Sequence, residues 1–147
     1  MKPPVQGLPR RINGIKIRDR YLYWTNTGEK IFCRIKIGEH SNAVGGTEIL
    51  VLDCLSDDFV FDKKGDAWIT HHGLNTVGVV KAGRGLVTVA WEMDQLTVAG
   101  GAACQFGRGA GGKDVLYVVT TGGMSAPVNG ELTEGWKVVV NTATFDS

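Results

Sequence analysis

Short runs of β-branched and aromatic residues alternate along the chain with polar turns that contain glycine or aspartate. Three of these runs, 21–26, 67–70 and 115–119, follow such a turn, and each carries at least one aromatic residue. No stretch as long as an ordinary helix places its apolar residues at the helical spacing of about 3.6. The pattern therefore predicts an all-β chain in which many short strands are joined by tight turns.

The same order of strands and turns occurs three times. The units begin near residues 13, 57 and 102, so successive starts lie 44 and 45 residues apart. Each unit then supplies a second and a third strand, separated by turns. The second strands are predicted at 21–26, 67–70 and 115–119, and the third strands at 31–35, 76–80 and 136–140. Segments 48–55 and 86–93 add a fourth strand to the first two units.

A repeat of about 40–45 residues that carries four strands is typical of a propeller blade. We therefore predict an all-β fold, a β-propeller fragment of about three four-stranded blades, which is half of a six-bladed propeller. Residues 1–147 would form a single partial β-propeller domain, with repeats starting near 13, 57 and 102. Segment 138–145 is expected to supply a closing strand. An ordinary β-sandwich with coincidental spacing is the alternative.

Composition agrees with this fold and narrows the function. The 147 residues are 43% hydrophobic and 21% charged, which fits one globular domain, and 21 glycines against four prolines suit tight turns. The net charge of +1 gives no electrostatic basis for binding nucleic acid or an anionic membrane. Since no signal-peptide pattern is present near residue 1, we expect a cytoplasmic protein. Cys33, Cys54 and Cys104 lack a C-x-x-C spacing and are interpreted as buried free thiols.

Polar residues gather at one end of the predicted central channel. In a blade the first strand starts at the end where the second strand finishes, so residues before the first strand lie near the loop that follows the second. Ligands of propellers commonly bind at such a channel mouth. The residues placed there are Asn13, Asn26, Thr27, Asp57, Asp58, His71, His72, Asn75, Thr120, Thr121, Gly122, Gly123 and Met124.

Several of these residues also have an ordinary structural interpretation. Asn13 precedes a glycine and would equally well cap a turn. Adjacent side chains in an extended strand point to opposite faces, so we expect at most one of Asp57 and Asp58 to face the channel. The same holds for His71 and His72. The histidine that faces the channel would suit acid/base chemistry, because its ordinary pKa lies near neutrality, and a plain surface histidine is the alternative.

The sequence lacks the short motifs of serine hydrolases and zinc enzymes. No Gly-x-Ser-x-Gly, His-Glu-x-x-His or paired-cysteine zinc motif occurs. The glycine-rich run 107–112 is not followed by Lys-Ser or Lys-Thr, and it joins two predicted strands. We therefore interpret it as a hairpin turn and not as a phosphate-binding loop.

Two motifs relate the chain to a known superfamily. Asn13-Gly-Ile precedes a Tyr-Leu-Tyr-Trp-Thr-Asn strand, and Ser56-Asp-Asp-Phe precedes Phe-Asp-x-x-Gly-Asp-Ala-Trp. With these motifs the chain resembles, over roughly residues 8–123, the later blades of the regucalcin/gluconolactonase superfamily of six-bladed propellers.

That resemblance implies a divalent cation, such as calcium, held in the channel by Asn13 and Asp57. The cation would act as a Lewis acid on a lactone or ester carbonyl. Two features depart from the family pattern. The usual Pro-Asp-Gly is here Ser56-Asp57-Asp58, and the chain has no counterpart of the early blade that supplies the family's first metal-binding Glu. The chain would therefore carry at most half of such a metal site.

The Asp-Asp-Phe-x-Phe-Asp variant, with Thr-His-His in the next strand, more closely resembles a fungal branch of these propellers. That branch includes hetero-Diels–Alderases, which join a tropolone-derived quinone methide to a terpene. The resemblance implies an enzyme without a metal or other cofactor, which holds two reactants in an apolar pocket. Either His71 or His72, with Thr120 or Thr121, would then polarise or orient the substrate. The substrate-binding and pocket-wall residues implied with them are Trp24, Asn26, Trp68, Asn75 and Met124.

Three functions of different classes follow from the sequence. The leading hypothesis is a small-molecule cyclase of secondary metabolism that binds its substrate at the channel mouth. The alternatives are a calcium-dependent lactonase or esterase that uses Asn13 and Asp57, and a non-catalytic truncated propeller or assembly module. Three blades cannot close a six-bladed ring, so two apolar blade faces would stay open and favour association. We therefore also expect a homodimer or a complementing chain.

Overall fold

The computed structural model describes residues 12–81, 85–90 and 93–141, but not the side chains of 88–90 and 141. These residues form eleven β-strands and no α-helix, and accordingly the described part contains no helix long and apolar enough to cross a membrane. The all-β class predicted from the sequence is confirmed.

The strands form three antiparallel sheets, and in each sheet neighbouring strands are consecutive along the chain. Blade 1 consists of β1 (Ile12–Arg18), β2 (Tyr21–Asn26), β3 (Ile31–Ile37) and β4 (Ala43–Val51). Blade 2 consists of β5 (Phe59–Phe61), β6 (Ala67–His71), β7 (Thr76–Lys81) and β8 (Gly85–Ala90). Blade 3 consists, in the described residues, of β9 (Gly101–Phe106), β10 (Leu116–Thr120) and β11 (Lys137–Asn141). β1, the first strand of blade 1, lies against β5, the first strand of blade 2. In the same way β5 lies against β9, the first strand of blade 3.

The observed strands depart from the predicted ones at three places. β4 spans Ala43–Val51 and not the predicted 48–55, since it begins before two glycines and pairs with β3 through two register shifts. β5 begins only at Phe59, so the two preceding aspartates lie before the strand. The expected closing strand at 138–145 overlaps β11, which pairs with β10 as the third strand of blade 3. The remainder of that segment lies outside the described residues.

Blade 2 is covered on both faces by its neighbours. Side chains alternate along β6, so that Ile69 packs in a core with blade 1 and Trp68 packs in a core with blade 3. All five residues of β6 are consequently buried, as expected for a strand between two packed layers.

The core between blades 1 and 2 is aromatic. The ring of Phe59, which is fully buried, lies edge-on to the ring of Phe32 with centroids 4.9 Å apart. Tyr23 makes a similar contact with Phe61 at 4.8 Å. Edge-to-face pairs of this kind add about 0.5–1.5 kcal/mol each to the free energy gained by burial alone. They hold β5 against blade 1 and so fix where the two inner strands begin.

The core between blades 2 and 3 is mainly aliphatic. Leu116 and Val118 of β10 pack against Trp68 and Val79 of blade 2, with Cys104 among them. The three cysteines are free and buried, which confirms their interpretation as buried free thiols. Burial raises the pKa of the Cys54 thiol to about 11, so this group stays protonated at neutral pH.

We expect Phe59→Ala to lower the free energy of unfolding by about 3–5 kcal/mol, because the substitution leaves a cavity among the buried rings. Leu52→Ala, at a position that is 68% exposed, is the matched control and should change it by less than about 0.5 kcal/mol. Urea unfolding followed by tryptophan fluorescence, at one fixed protein concentration, measures both. Equal losses for the two variants would contradict the aromatic core.

Candidate functional site at the channel mouth

A cavity of about 410 Å³ opens where β1 and β5 begin and where β2 and β6 finish. All three blades contribute to its wall: Asn13 and Thr27 come from blade 1, Asp57 and His72 from blade 2, and Ser125 from the loop after β10. This is the end of the channel at which the sequence placed its polar residues. The other described lining residues are Gly28, Leu55, Ser56, Gly73 and Ala126.

Asn13 ties blade 1 to blade 2 at the cavity wall. Its amide nitrogen donates to Oδ1 of Asp57 at 2.7 Å and also to the hydroxyl of Thr27. The Thr27 hydroxyl in turn donates to the backbone carbonyl of Ser56 at 2.6 Å. Both amide protons of Asn13 are thus used within the protein, which leaves its carbonyl oxygen as the group available to a ligand.

Asp57 and Asp58 both line a second cavity of about 330 Å³ beside the inner strands of the three blades. Both precede β5 and are not subject to its alternation, so the expectation that at most one of them faces the channel stays a prediction. Asp58 accepts a hydrogen bond from Nζ of Lys16 at 3.0 Å. Burial raises the pKa of Asp57 above its ordinary value, Asp58 raises it further, and the nearby His72 opposes this rise.

His72 is the histidine that faces the cavity, and it connects blade 2 to blade 3. Its Nε2 lies 3.1 Å from Oγ1 of Thr121, and that hydroxyl donates to the carbonyl of Gly100 at 3.3 Å. A hydroxyl has one proton, so Thr121 must accept from His72 while it donates to Gly100. The contact therefore places the imidazole proton on Nε2 and leaves Nδ1 as the basic nitrogen.

Gly100 and Asn75 hold Thr121 in this position. The side-chain oxygen of Asn75 accepts the backbone N–H of Gly100 at 2.8 Å. Gly100 has a φ of 66°, and a Cβ added there would lie 2.1 Å from Oγ1 of Thr121, so only glycine fits. Asn75 is buried, and it positions Thr121 by holding the backbone of Gly100. The sequence had instead predicted that Asn75 contacts substrate.

His71 lies on the other side of β6 and is 2% exposed. Neither of its ring nitrogens has a hydrogen-bond partner among the described residues. Burial lowers the pKa of this imidazole to about 4, so it is neutral in the folded protein at neutral pH. Of the two histidines considered from the sequence, His71 is therefore a packing residue of blade 2 and does not reach the cavity.

Two other predicted site residues have structural roles. Thr120 is buried at the end of β10, where its hydroxyl donates to the carbonyl of Lys137 at 3.4 Å. Asn26 is buried at the end of β2, and its side-chain oxygen accepts the backbone N–H of Glu29 at 3.1 Å, which closes the turn after the strand. Both stand near the mouth without lining the described cavity.

The two tryptophans and the methionine predicted to contact substrate also lie away from this cavity. Trp68 is in the core between blades 2 and 3, and its Nε1 donates to Oδ2 of Asp62 at 3.1 Å. Trp24 is half-buried on the face of blade 1 that points away from blade 2, opposite Ile15 in the strand pairing. Met124 is 73% exposed in the loop after β10.

Sequence reasoning missed Ser125 and Ala126 as lining residues. They belong to the long loop between β10 and β11, whose path no local pattern specifies. The loop folds back on itself at Gly122, where φ is 68° and an added Cβ would lie 2.0 Å from the carbonyl oxygen of Glu134. The Gly-Gly pair in the sequence was the available signal for this close approach.

The residues of this chain do not by themselves fit a calcium ion. Calcium takes about six to eight oxygen ligands, and Asn13 and Asp57 supply two neighbouring oxygen-bearing side chains. Their contact is a hydrogen bond from the amide of Asn13 to the carboxylate of Asp57. Among the described residues, no three His, Cys, Asp or Glu side chains are grouped closely enough to hold a metal ion.

Comparison with solved structures agrees with the fold. The chain is similar to luciferin-regenerating enzyme, with a TM-score of 0.65 and 13% identity, over 87% of this chain and 44% of that chain. It is also similar to virginiamycin B lyase from Staphylococcus aureus, with a TM-score of 0.50 and 11% identity, over 90% of this chain and 41% of that chain. Both are propellers, and the prediction of a partial β-propeller is confirmed.

Comparison of sequences gives a more specific relative. No family model matches the chain. Over 112 aligned residues, 73% of this chain, it is 34% identical to a protein of Phoma sp described as a "Putative hetero-Diels-Alderase". The chain is a homologue of that protein and spans 32% of its length. The predicted likeness to hetero-Diels–Alderases is thus confirmed, whereas a specific likeness to regucalcin or gluconolactonase stays a prediction.

The buried neutral His71 makes the protein sensitive to acid. Its pKa is about 4 when folded against an ordinary value of 6.5, so the unfolded chain binds the proton first as the pH falls. We expect this residue to remove about 3 kcal/mol of unfolding free energy between pH 6.5 and 4. His71→Leu should flatten the pH dependence by that amount, and the exposed His40→Leu should leave it unchanged. Identical pH slopes in all three proteins would contradict the buried neutral imidazole.

The contact between Thr121 and His72 should fix which ring nitrogen carries the proton. We expect ¹⁵N chemical shifts at high pH to show one tautomer of His72, protonated on Nε2. Thr121→Val removes the acceptor and should give a mixture of tautomers, and Thr121→Ser should restore the single form. A mixture in the unchanged protein would contradict the hydrogen-bond arrangement.

Proposed function

We propose that the channel-mouth cavity is the substrate site of a small-molecule enzyme of secondary metabolism, a cyclase of the hetero-Diels–Alderase type. The observation that carries the proposal is the contact of His72 with Thr121, which fixes an ionisable group at a cavity built by three blades. The sequence identity to the Phoma protein supports the reaction class. Because the chain spans 32% of that relative, the activity of the whole protein is part of the proposal.

The reaction needs positioning and polarisation more than it needs reactive groups. A hetero-Diels–Alder addition joins a C=C–C=O heterodiene to an alkene, forming one C–C and one C–O bond while three π bonds become one. No atom leaves and no electrons are supplied from outside, so neither an oxidant nor a leaving group is involved. Catalysis consists of holding two reactants close to their attack geometry and of stabilising the charge that develops on the heterodiene oxygen.

The cavity provides the space and the polar groups for these two tasks. Its volume of about 410 Å³ falls in the range of about 300–1,000 Å³ found for small-molecule sites. In the proposal Nδ1 of His72 takes up a proton while Nε2 keeps the one that it donates to Thr121, and Nδ1 then donates a hydrogen bond to the carbonyl oxygen of the heterodiene. The carboxylate of Asp57 stabilises the resulting imidazolium, in agreement with the electrostatic interaction between these two residues. Thr121 is a positioning residue, because it acts by holding Nε2 of His72.

The test is the stereochemistry of the product formed from a tropolone-type quinone methide and a terpene alkene. The uncatalysed addition gives a racemic product, so an enantiomeric excess measured by chiral chromatography reports catalysis directly. We expect an excess with the unchanged protein, and a catalysed rate lower by about 10²–10³ in His72→Ala, the loss typical of one essential donor. His40→Ala, at an exposed histidine in the turn between β3 and β4 that does not line the cavity, is the matched control and should retain the excess.

Each alternative function has its own outcome in this experiment. Activity that disappears with a chelator and returns with calcium would overturn the proposal in favour of a metal-dependent enzyme. A racemic product with the unchanged protein at every concentration would favour a non-catalytic module. Melting temperatures of the variants, measured in parallel, separate loss of the site from loss of the fold.

A further inference from the structure

Blade 1 has an apolar face that nothing in the described chain covers. On this face Ile15 and Ile17 of β1 lie opposite Trp24 and Leu22 of β2 in the strand register. Ile15 is 55% exposed and Ile17 is 68% exposed, and both lie on the inner edge strand of this four-stranded sheet. Ile49 of β4, also 55% exposed, lies on the same face beyond Cys33, which is itself buried. A soluble protein rarely leaves such a contiguous apolar patch uncovered without using it for binding.

Blade 3 has a second uncovered face at the other end of the arc. Tyr117 of β10 pairs with Val140 of β11, and Val119 pairs with Val138, so the four side chains form one patch. The exposed fractions are 39% for Tyr117 and 51% for Val140. They are 45% for Val119 and 58% for Val138. The alternate residues of β10, which point toward blade 2, are buried.

The internal contacts show what fits these two faces. We call the face that a blade turns toward the next blade along the chain its forward face, and the opposite one its backward face. Ile69 on the backward face of blade 2 packs against Phe32 on the forward face of blade 1. Leu116 on the backward face of blade 3 packs against Trp68 on the forward face of blade 2. The uncovered face of blade 1 is a backward face and that of blade 3 is a forward face, so they are complementary in kind.

We propose that a second copy of this chain covers both faces. The backward face of blade 1 in each copy docks on the forward face of blade 3 in the other, and a two-fold axis relates the copies. The contact repeats the blade-to-blade packing already made twice within the chain. Two copies supply six blades, in agreement with one copy covering 44% of the luciferin-regenerating enzyme propeller. A two-fold arrangement uses every open face and closes, whereas a contact that did not close would propagate into a polymer.

The first experiment is the mass in solution, measured by light scattering behind a sizing column. We expect a single species at twice 15.8 kDa across a wide range of concentrations. Ile17→Lys and Val138→Glu should each give a monomer, because each places a charge in both interfaces of the dimer. Leu132→Glu, at an exposed position in the loop outside both faces, is the matched control and should remain a dimer.

Mixing the two charged variants tests the pairing of unlike faces. In a mixed dimer one interface is unchanged, and in the other interface lysine and glutamate bring opposite charges together. We therefore expect the mixture of Ile17→Lys and Val138→Glu to recover the doubled mass that neither shows alone. If the dimer joined like faces, each variant would keep one unsubstituted face and could still pair through it. Neither variant would then be monomeric alone, and mixing them would restore nothing.

Several outcomes would overturn the proposal. A monomer at every concentration up to the solubility limit would show that the faces are covered by other blades, such as those of a longer chain. Large open polymers would show that the contact does not close. A dimer that survives both charged substitutions would place the interface elsewhere. Circular dichroism confirms that the variants are folded, and Ile15→Lys with Val140→Glu provides a second pair should either of the first two fail to fold.

Discussion

A propeller blade is one sheet thick, and it has no core until another sheet covers it. This constraint governs the whole molecule. Blade 2 satisfies it twice, because every residue of β6 is buried between two neighbours. Blades 1 and 3 satisfy it on one face each, and their other faces carry isoleucine, valine and tyrosine into solvent. The need to cover each blade determines where the inner strands start and how the cavity is framed. It is also the reason to expect the chain to associate.

The polar groups of the mouth use the same blade-to-blade packing. The hydroxyl of Thr25 accepts from the backbone of Gly14 at 2.9 Å and donates to the carbonyl of Asp57 at 2.7 Å, so blade 1 holds the segment that precedes β5. Within blade 2, Thr70 bonds the backbone of Asp58: its hydroxyl accepts from the N–H and donates to the carbonyl, both at 3.1 Å. These buried hydroxyls add to backbone hydrogen bonds that the same segments already make, from Gly14 to Asp57 at 3.0 Å and from Thr70 to Asp58 at 2.9 Å. The aspartates of the cavity are thereby placed by threonines that never touch it.

The sequence specifies the fold more completely than the site. A period of about 45 residues and runs of β-branched residues are local signals, and they predict strands such as β2 within the observed bounds. The repeat also predicts the order and direction of the strands, and therefore which residues lie at the channel mouth. For this reason Asn13, Asp57 and His72 could be predicted together. The choice between His71 and His72 was not predictable, because it depends on where β6 ends and on which neighbour covers each face. The resemblance implied Trp24 and Trp68 as pocket-wall residues, but which face of a blade each side chain takes depends on the strand register, and it places both away from the cavity.

The mouth depends on polar contacts that cross from one blade to the next. Asn13 meets Asp57 across one junction, and His72 meets Thr121 across the next. A hydrogen bond tolerates a change of only a few tenths of an ångström, whereas an apolar core keeps most of its buried area over such a shift. Slight sliding of one blade on another would therefore dismantle the constellation while the protein still looks folded by its spectrum. The cavity is a more sensitive indicator of inter-blade alignment than any measure of global stability, and it would be the first part of the molecule lost under mild stress.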